Sequence, residues 1–408
     1  MLDRNVSRRD FLAWTARSAC FVCGMGFMHT SSAAAQPLTA RAEESHFMRE
    51  ARFYTKLAHG DIECQICPRR CQVSPGDRGF CGNKENRGGV YYTLAYNRVA
   101  AAHVDPIEKK PLYHYLPGTR AFSIAAAGCN IRCKFCQNWT IAQQVPEDVE
   151  HQPLTVPEAV SRCRHEQCPT VAFTYSEPTA FYSYMYDVAR EARAAKVGSV
   201  MISNGFIEAE PLTALCRQLT AVKVDLKAFS QQFYSTYCSA DLDPVLATLK
   251  RLKAIGIWFE IVNLVIPTLN DDPRQIRSMC EWIKANLGPA VPIHFTRFHP
   301  MHLIRNLPPT PVKTLELART IALEAGLHYP YVGNVWGHEG SHTYCPSCKK
   351  TLIKRVGFII SENAIVKGAC SFCGEPIPGV WRQAQLGLQE ESCASGSRSI
   401  ADVRFAKT

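Results

Sequence analysis

Three cysteines of this 408-residue chain are spaced closely enough to bind one inorganic cluster. They are Cys129, Cys133 and Cys136, arranged as C-x3-C-x2-C directly after the apolar run 121–127. A [4Fe-4S] cube has four irons, so three thiolates leave one iron open to bind a reactant. A structural metal site that borrows a distant fourth ligand is the alternative. The spacing, the strand-like run and the aromatic Phe135 favour the catalytic cluster.

A second group of cysteines precedes this triplet. Four soft ligands can close a tetrahedral site, which suits zinc, and a second iron-sulfur cluster is the competing interpretation. A third interpretation is that these cysteines are reduced and bind no metal. The first three have the mirror-image spacing C-x2-C-x3-C, but no strand-like run leads into them, so the later triplet is the better catalytic candidate. This N-terminal cysteine set consists of Cys64, Cys67, Cys71 and Cys81.

A third group lies near the carboxyl terminus, as two C-x2-C pairs separated by twenty-one residues. Two such pairs can hold together a module that is too small to build its own core, so they predict a zinc ribbon, with rubredoxin-like iron as the alternative. Neither pair carries a dense basic and aromatic surface, so no nucleic-acid partner is expected. This C-terminal cysteine set consists of Cys345, Cys348, Cys370 and Cys373.

The elements that must position the triplet alternate between short apolar runs and amphipathic segments, which predicts repeated βα units around a parallel sheet. Six strands are predicted, at 121–127, 170–175, 199–203, 221–226, 258–266 and 292–298. Helices are predicted at 157–168, 178–196, 208–219, 243–254, 272–286 and 311–325.

Polar residues follow several of these predicted strands. Because the carboxyl ends of parallel strands meet at one edge of a sheet, we expect these side chains to face one mouth. Asp225 and Lys227 share a face by the strand period of two. The candidate cofactor-binding residues are Glu177, Asn204, Asp225, Lys227 and His299.

Composition supports a globular, metal-binding protein. The net charge is +10, but lysines and arginines are spread along the chain without a block of like charges, which is typical of a solvated surface. Nineteen cysteines are present, and their grouping into close-spaced sets favours metal over disulfides.

The cysteine triplet and its Phe135 resemble the radical S-adenosylmethionine (SAM) superfamily, whose signature has this spacing and an aromatic residue before the third cysteine. The resemblance implies a partial (β/α)6 TIM-like barrel. It also implies that SAM binds the open iron with Phe135 near its adenine. Reduction of the cluster then releases methionine and a 5′-deoxyadenosyl radical that abstracts a hydrogen atom.

The same resemblance assigns roles to strand-end residues. Glu177-Pro178 occupies the place of the family's Gly-Gly-Glu-Pro motif, with Tyr175 and Ser176 where the glycines would be. Asp225-Leu-Lys227 resembles a SAM-contacting segment of glycyl-radical activases.

Over about residues 48–382, the order of motifs resembles the AmmeMemoRadiSam-system radical SAM proteins, which are similar to pyruvate formate-lyase activating enzymes. The implied partners are SAM and a low-potential electron donor such as flavodoxin or ferredoxin. Memo-like and AMMECR1-like proteins, or a glycyl-radical enzyme, are further implied associates.

The amino terminus contains Ser7-Arg-Arg-Asp-Phe-Leu12, which resembles a twin-arginine export signal and indicates the periplasm. A cytoplasmic location is the alternative, because SAM and low-potential reductants are made there. The predicted domains are a signal and linker (1–45), a cysteine-rich segment (46–118), the radical SAM barrel (119–335), a zinc-ribbon-like module (340–382) and a tail (383–408).

Three functions compete at this point. The leading hypothesis is an enzyme that cleaves SAM reductively to abstract hydrogen from an unidentified substrate. A narrower version is a glycyl-radical activase. A protein that uses its iron-sulfur and zinc sites only for electron transfer or as a scaffold is the non-catalytic alternative.

Overall fold

A computed structural model describes residues 45–388. The predicted twin-arginine motif and most of the predicted tail lie outside these residues. Within the described part of the chain, no helix combines the length and the apolar character that crossing a membrane requires.

Short antiparallel strands build the segment before the barrel. Two three-stranded sheets form there, one from the first, sixth and fifth strands and one from the second, third and fourth. The strands are β1 (Arg49–Glu50), β2 (Tyr54–Lys56), β3 (Ile62–Cys64), β4 (Gln72–Val73), β5 (Lys84–Arg87), β6 (Val90–Thr93) and β7 (Arg98–Val99).

An eight-stranded sheet follows. Its strands are β8 (Ala101–Pro106), β9 (Arg120–Ala125), β11 (Thr170–Phe173), β12 (Gly198–Ser203), β13 (Ala221–Asp225), β14 (Trp258–Val265), β15 (Ile293–Arg297) and β16 (Pro330–Gly333), while the short β10 (Gln152–Pro153) pairs with β7. The spatial order runs from β16 down to β11, then β9 and β8. All neighbours pair in parallel except β8, which is antiparallel to β9.

Helices connect the parallel strands, and their ends follow from local sequence. Asp272 caps one helix by accepting a hydrogen bond from Arg274 N, with Pro273 at the first helical position. Gly256, at a φ of +80°, ends another. The helices are α1 (Trp139–Ala142), α2 (Val156–His165), α3 (Tyr182–Ala194), α4 (Ala209–Cys216), α5 (Gln231–Phe233), α6 (Leu242–Ile255), α7 (Pro273–Leu287) and α8 (Val312–Glu324).

The partial barrel predicted from the sequence is confirmed. Each of the six predicted strands corresponds to an observed one, β9 and β11 to β15, with ends that shift by a few residues. The sequence missed β16, a four-residue strand that extends the parallel sheet, and β8, which covers its other edge.

The C-terminal module packs against the barrel. Its strands are β17 (Thr343–Tyr344), β18 (Thr351–Val356), β19 (Ile359–Asn363), β20 (Ile365–Val366) and β21 (Ala369–Cys370). The fully buried Arg355 donates to Tyr113 O over 2.9 Å and stacks on the Tyr113 ring, which joins the module to the segment before the barrel. The start of the predicted tail also packs, since Leu386 is buried.

Candidate active site

The cysteine loop, residues 128–136, joins β9 to α1 at the carboxyl edge of the sheet. It begins at Gly128, whose φ of +94° is one that L-residues rarely adopt. A Cβ at this position would lie 2.6 Å from Asn83 Oδ1 and 2.7 Å from Cys81 O. Glycine is therefore required both by the turn and by the close approach of the N-terminal segment.

The other side of the cysteine loop packs against a π-helical turn, Tyr234–Cys238. The backbone N–H of Arg132 donates to Cys238 O over 2.8 Å. The thiol of Cys238 hydrogen-bonds with that of Cys133. A fourth thiol, which the sequence does not associate with the triplet, thus borders the loop.

The donor set of the loop fits an iron-sulfur cluster. Burial raises the pKa of Cys129 well above its usual value and raises the pKa of Cys136 to about 11. The hydrogen bond with Cys238, together with burial, raises the pKa of Cys133. Such thiols keep their protons until a metal displaces them, and three soft ligands on one loop suit iron-sulfur ligation.

Asn204, which follows β12, connects the end of that strand to the cysteine loop, although β11 lies between β12 and β9 in the sheet. Its Nδ2 lies 3.7 Å from Cys129 Sγ and donates to Asn130 Oδ1 over 2.8 Å. Its Oδ1 accepts from Phe206 N at 2.9 Å. The amide orientation is thereby fixed, with the N–H groups facing the thiols.

Glu177, at the end of the loop after β11, is buried and fully engaged. Its carboxylate accepts from Thr179 N and Oγ1, from Ser203 Oγ and from Asn204 N, at 2.7 to 3.0 Å. Burial raises the pKa of Glu177, and these hydrogen bonds oppose the shift. In the structure Glu177 therefore fixes the backbone that carries Asn204, and its predicted contact with SAM stays a prediction.

A row of charges lies along and just beyond β13. Asp225 forms ion pairs with Lys223 and with Lys227, the latter at 2.8 Å. Burial alone would raise the pKa of Asp225, but the two lysines outweigh it and lower the pKa to about 2. Asp225 and Lys227 share a face as the sequence predicts, and the same period of two places Lys223 beside them, which sequence reasoning missed.

Asn263 on β14 adds an acceptor that the protein leaves unused. Its Nδ2 donates to Leu226 O and Lys227 O, at 2.8 and 3.1 Å. Its buried Oδ1 has no hydrogen-bond partner within residues 45–388. A buried acceptor of this kind is costly unless a donor reaches it, and the ammonium group of a bound amino acid would be one.

The other two predicted cofactor-binding residues, Phe135 and His299, lie in different environments. Phe135 is buried, with its ring centroid 5.7 Å from that of Phe233, so it forms part of the packing behind the loop. His299 is exposed just after β15. Their predicted contacts with SAM stay predictions.

Comparison with known proteins identifies the family to which this chain belongs. The model of the radical SAM superfamily matches residues 123–280, which include the cysteine loop and the charged row. The uncharacterized protein MJ0808 of Methanocaldococcus jannaschii is 46% identical over 333 residues, which are 81% of this chain and 99% of the relative. This chain belongs to the radical SAM superfamily.

As a radical SAM enzyme, the protein uses a [4Fe-4S] cluster and SAM and needs a reductant. A second uncharacterized protein of the same organism, MJ0674, is 33% identical over 81 residues, covering 20% of this chain and 19% of the relative. A radical SAM methyltransferase from Sphaerobacter thermophilus aligns with a TM-score of 0.44 at 13% identity, covering 73% of this chain and 81% of that one. A domain of a pyruvate-formate lyase-activating enzyme from Bacteroides vulgatus aligns with a TM-score of 0.36 at 17% identity, covering 40% and 98%.

The C-terminal cysteine set of this radical SAM enzyme forms a metal-binding site. Its four sulfurs all lie within 4.8 Å of one another, with Cys345 to Cys373 at 3.6 Å and Cys348 to Cys370 at 3.8 Å. Four thiolates about 2.3 Å from one tetrahedral zinc are roughly 3.8 Å apart. Burial alone would raise the pKa of the Cys370 thiol, but the backbone N–H groups that follow Cys370 lower this pKa to about 7. The sulfur separations therefore fit a single ion.

The structure also brings the N-terminal cysteine set together. All four residues line one cavity beside the cysteine loop, along with Lys84 and Tyr91. Neither Lys84 nor Tyr91 is recognisable as a site residue from the sequence, because each lies on a short strand among ordinary polar and aromatic neighbours.

Proposed function

We propose that this radical SAM enzyme abstracts a hydrogen atom from a substrate at the barrel mouth, with Cys129, Cys133 and Cys136 as the ligands of its [4Fe-4S] cluster. A cluster held by these three residues would supply the electron that splits bound SAM into methionine and a 5′-deoxyadenosyl radical. The supporting observation is the convergence of two strand ends, which sets Asn204 Nδ2 3.7 Å from Cys129 Sγ. Family membership favours this enzyme over the non-catalytic scaffold.

The charged row is suited to the methionine part of SAM. Lys223 and Lys227 carry two positive charges and Asp225 one negative charge, so the row has one positive charge in excess. A carboxylate is attracted to this excess, and an ammonium group can reach Asp225 or the unused Oδ1 of Asn263. The row therefore orients a zwitterion rather than a simple anion.

Other residues hold this arrangement in place. Glu177 fixes the backbone of Asn204 through a 2.8 Å hydrogen bond, and the turn Tyr234–Cys238 covers one side of the cysteine loop. Packing on both sides buries Cys133 and leaves Cys129 and Cys136 partly exposed, so water is limited on the inner side of the loop, where a reactive radical must be protected from quenching. We place His299, exposed at the same edge, at the entrance for SAM or substrate.

Zinc is our proposal for the C-terminal cysteine set, because the 3.6 and 3.8 Å sulfur separations match a tetrahedral Zn(Cys)4 site. The electron donor we propose is a flavodoxin or ferredoxin. The substrate could be a glycine of a partner enzyme, as in the activase hypothesis, and a glycyl radical signal in that partner's electron paramagnetic resonance (EPR) spectrum would establish it.

The test is anaerobic turnover of SAM. Reconstituted protein with SAM and dithionite should release 5′-deoxyadenosine, detected by mass spectrometry. Cys133→Ala should abolish the release. The matched control is Cys216→Ala, which removes a buried thiol on α4 outside the three sets. Intact SAM after incubation with fully reconstituted protein would contradict the proposal.

A further inference from the structure

The N-terminal cysteine set differs in geometry from the C-terminal one. All four of its residues line a single cavity. Within residues 45–388, however, the C-terminal set is the one group of three or more potential ligands whose donor atoms all lie within 4.8 Å of one another. Thiolates that share one ion must be that close, whereas thiolates on different irons of a cube must lie farther apart. The N-terminal set has the wider arrangement.

A buried positive charge lies beside this set. Lys84 is 2% exposed, its Nζ donates to Ala180 O over 2.8 Å, and Cys81 Sγ is 3.9 Å away. No ion pair with a carboxylate involves Lys84 in the described part of the chain, although a buried ammonium group is costly without a negative partner. A cluster held by four thiolates is anionic, so it supplies that partner.

The set also contacts the cysteine loop directly. Asn83 Nδ2 donates to Ala127 O, and Cys81 O lies against Gly128, one residue before the first ligand of the radical SAM cluster. Asn130 lines the N-terminal cavity, and its Oδ1 accepts from Asn204, which in turn reaches Cys129. A single layer of residues therefore separates the two groups of cysteines.

The outer side of the set is accessible to solvent. Phe80, next to Cys81, is exposed and lies between two guanidinium groups, with Arg69 at 3.5 Å and Arg132 at 4.5 Å from the ring centroid. Arg132 also donates to Phe80 O over 2.8 Å and to Cys129 O over 2.6 Å. An acidic electron carrier can approach this positively charged surface.

We propose that the N-terminal cysteine set holds a second [4Fe-4S] cluster, with Lys84 as its buried counter-charge, that relays electrons to the radical SAM cluster. A one-electron, low-potential carrier is oxidised by one electron at the second cluster, and that electron then reduces the cluster on the cysteine loop. No bond or proton is exchanged in either step. The relay role rests on the proposed function, whereas the presence of the second cluster does not.

Metal analysis tests the cluster itself. In the full chain reconstituted with iron and sulfide, Cys64→Ser/Cys81→Ser should remove about half of the iron and leave zinc unchanged. The change in the EPR signal when SAM is added should persist, which shows that the radical SAM cluster survives. The matched control, Cys216→Ser, should keep all metal. Loss of zinc with unchanged iron, or no loss of either metal, would overturn the proposal.

A second variant keeps all cysteines. Lys84→Met should retain the iron but move the midpoint potential of one cluster to more negative values, because the reduced cluster loses a nearby positive charge. The potential of the cluster that responds to SAM should not move. If neither potential changes, or if the SAM-responsive cluster shifts instead, Lys84 is not the counter-charge of a second cluster.

Turnover separates the relay from the proposed function. With reduced flavodoxin as the electron donor, the double cysteine variant should form 5′-deoxyadenosine at least about tenfold more slowly than the unaltered chain. Dithionite is a small molecule that reaches the radical SAM cluster directly, so it should restore most of the rate. Equal rates with flavodoxin would overturn the relay. If the unaltered chain cleaves no SAM with either reductant, the proposed function fails, and the iron analysis still decides the second cluster.

Discussion

The side-chain amide of Asn204 donates to Asn130 Oδ1 and also lies 3.7 Å from the sulfur of Cys129. An N–H group directed at a cluster thiolate withdraws negative charge from the sulfur and so stabilises the reduced cluster. Glu177 fixes the backbone of Asn204 from the opposite side. In the proposed cluster, the pair Asn204 and Cys129 therefore couples the end of β12 to the redox properties of the loop after β9.

We expect Asn204→Leu to move the midpoint potential of the radical SAM cluster to more negative values, because the N–H contact to Cys129 is lost. An EPR-monitored redox titration measures this. Asn286→Leu is the control, since Asn286 lies on the exposed face of α7, where its side chain donates to Trp282 O. An unchanged potential in a variant that keeps its cluster would show that Asn204 does not tune it.

Asp225→Asn should lower the free energy of unfolding by about 3 kcal/mol, because the buried Lys223 and the partly exposed Lys227 lose their carboxylate partner. It should also weaken SAM binding if the row orients the methionine part. Denaturant unfolding and calorimetry measure the two effects. Asp243→Asn, at an exposed position in the first turn of α6, is the control. Unchanged stability would mean that Lys223 and Lys227 do not depend on Asp225.

The sequence predicts the parallel strands that are long, apolar and followed by a helix. It misses β16 because no helix follows Pro330–Gly333 to complete a βα unit, whereas the equally short β11 is followed by one. It misses β8 because this antiparallel strand, Ala101–Pro106, begins with two alanines and ends in a proline, so its strand pattern is weak. Local pattern therefore identifies repeated units but not the strands that finish the sheet.

The same limit applies to the site. Asp225 and Lys227 are predictable because the period of two is a local property, and one further step back gives Lys223. Cys238 is not predictable, because its contact with Cys133 depends on a π-helical turn that folds back across more than one hundred positions of sequence. Tertiary packing, and not spacing, creates that pair.

A buried network below the mouth makes stability depend on pH. His114 Nδ1–H donates to Pro378 O over 2.8 Å, and in the neutral ring its Nε2 accepts from Tyr331 OH at 2.6 Å. Burial lowers the pKa of His114 from 6.5 to about 4, although Glu260 opposes the shift. Between pH 6.5 and 4, His114 binds a proton in the unfolded chain but not in the folded protein. The free energy of unfolding therefore decreases as the pH falls, and His114 contributes about 3 kcal/mol to this decrease. Above pH 6.5, His114 does not make the free energy of unfolding depend on pH.

Urea unfolding at several pH values measures this prediction. His114→Phe should be less stable at pH 7 but should lose less further stability between pH 6.5 and 4. His165→Phe, at the end of α2, is the control and should keep the original slope. Parallel curves for the unaltered chain and His114→Phe would show that His114 is not the titrating group.

Removal of the C-terminal metal should loosen the module without affecting the barrel. Cys348→Ser should release the proposed zinc and keep all iron, since a metal there would hold together a module with a small core of its own. Hydrogen exchange should accelerate in β17, β18 and β19, while β12 and β13 stay protected. Arg355, through its hydrogen bond to Tyr113 O, limits how far the module can detach. Cys280→Ser, a buried thiol on α7, should change neither metal nor exchange, and unchanged exchange in Cys348→Ser would show that packing alone maintains the module.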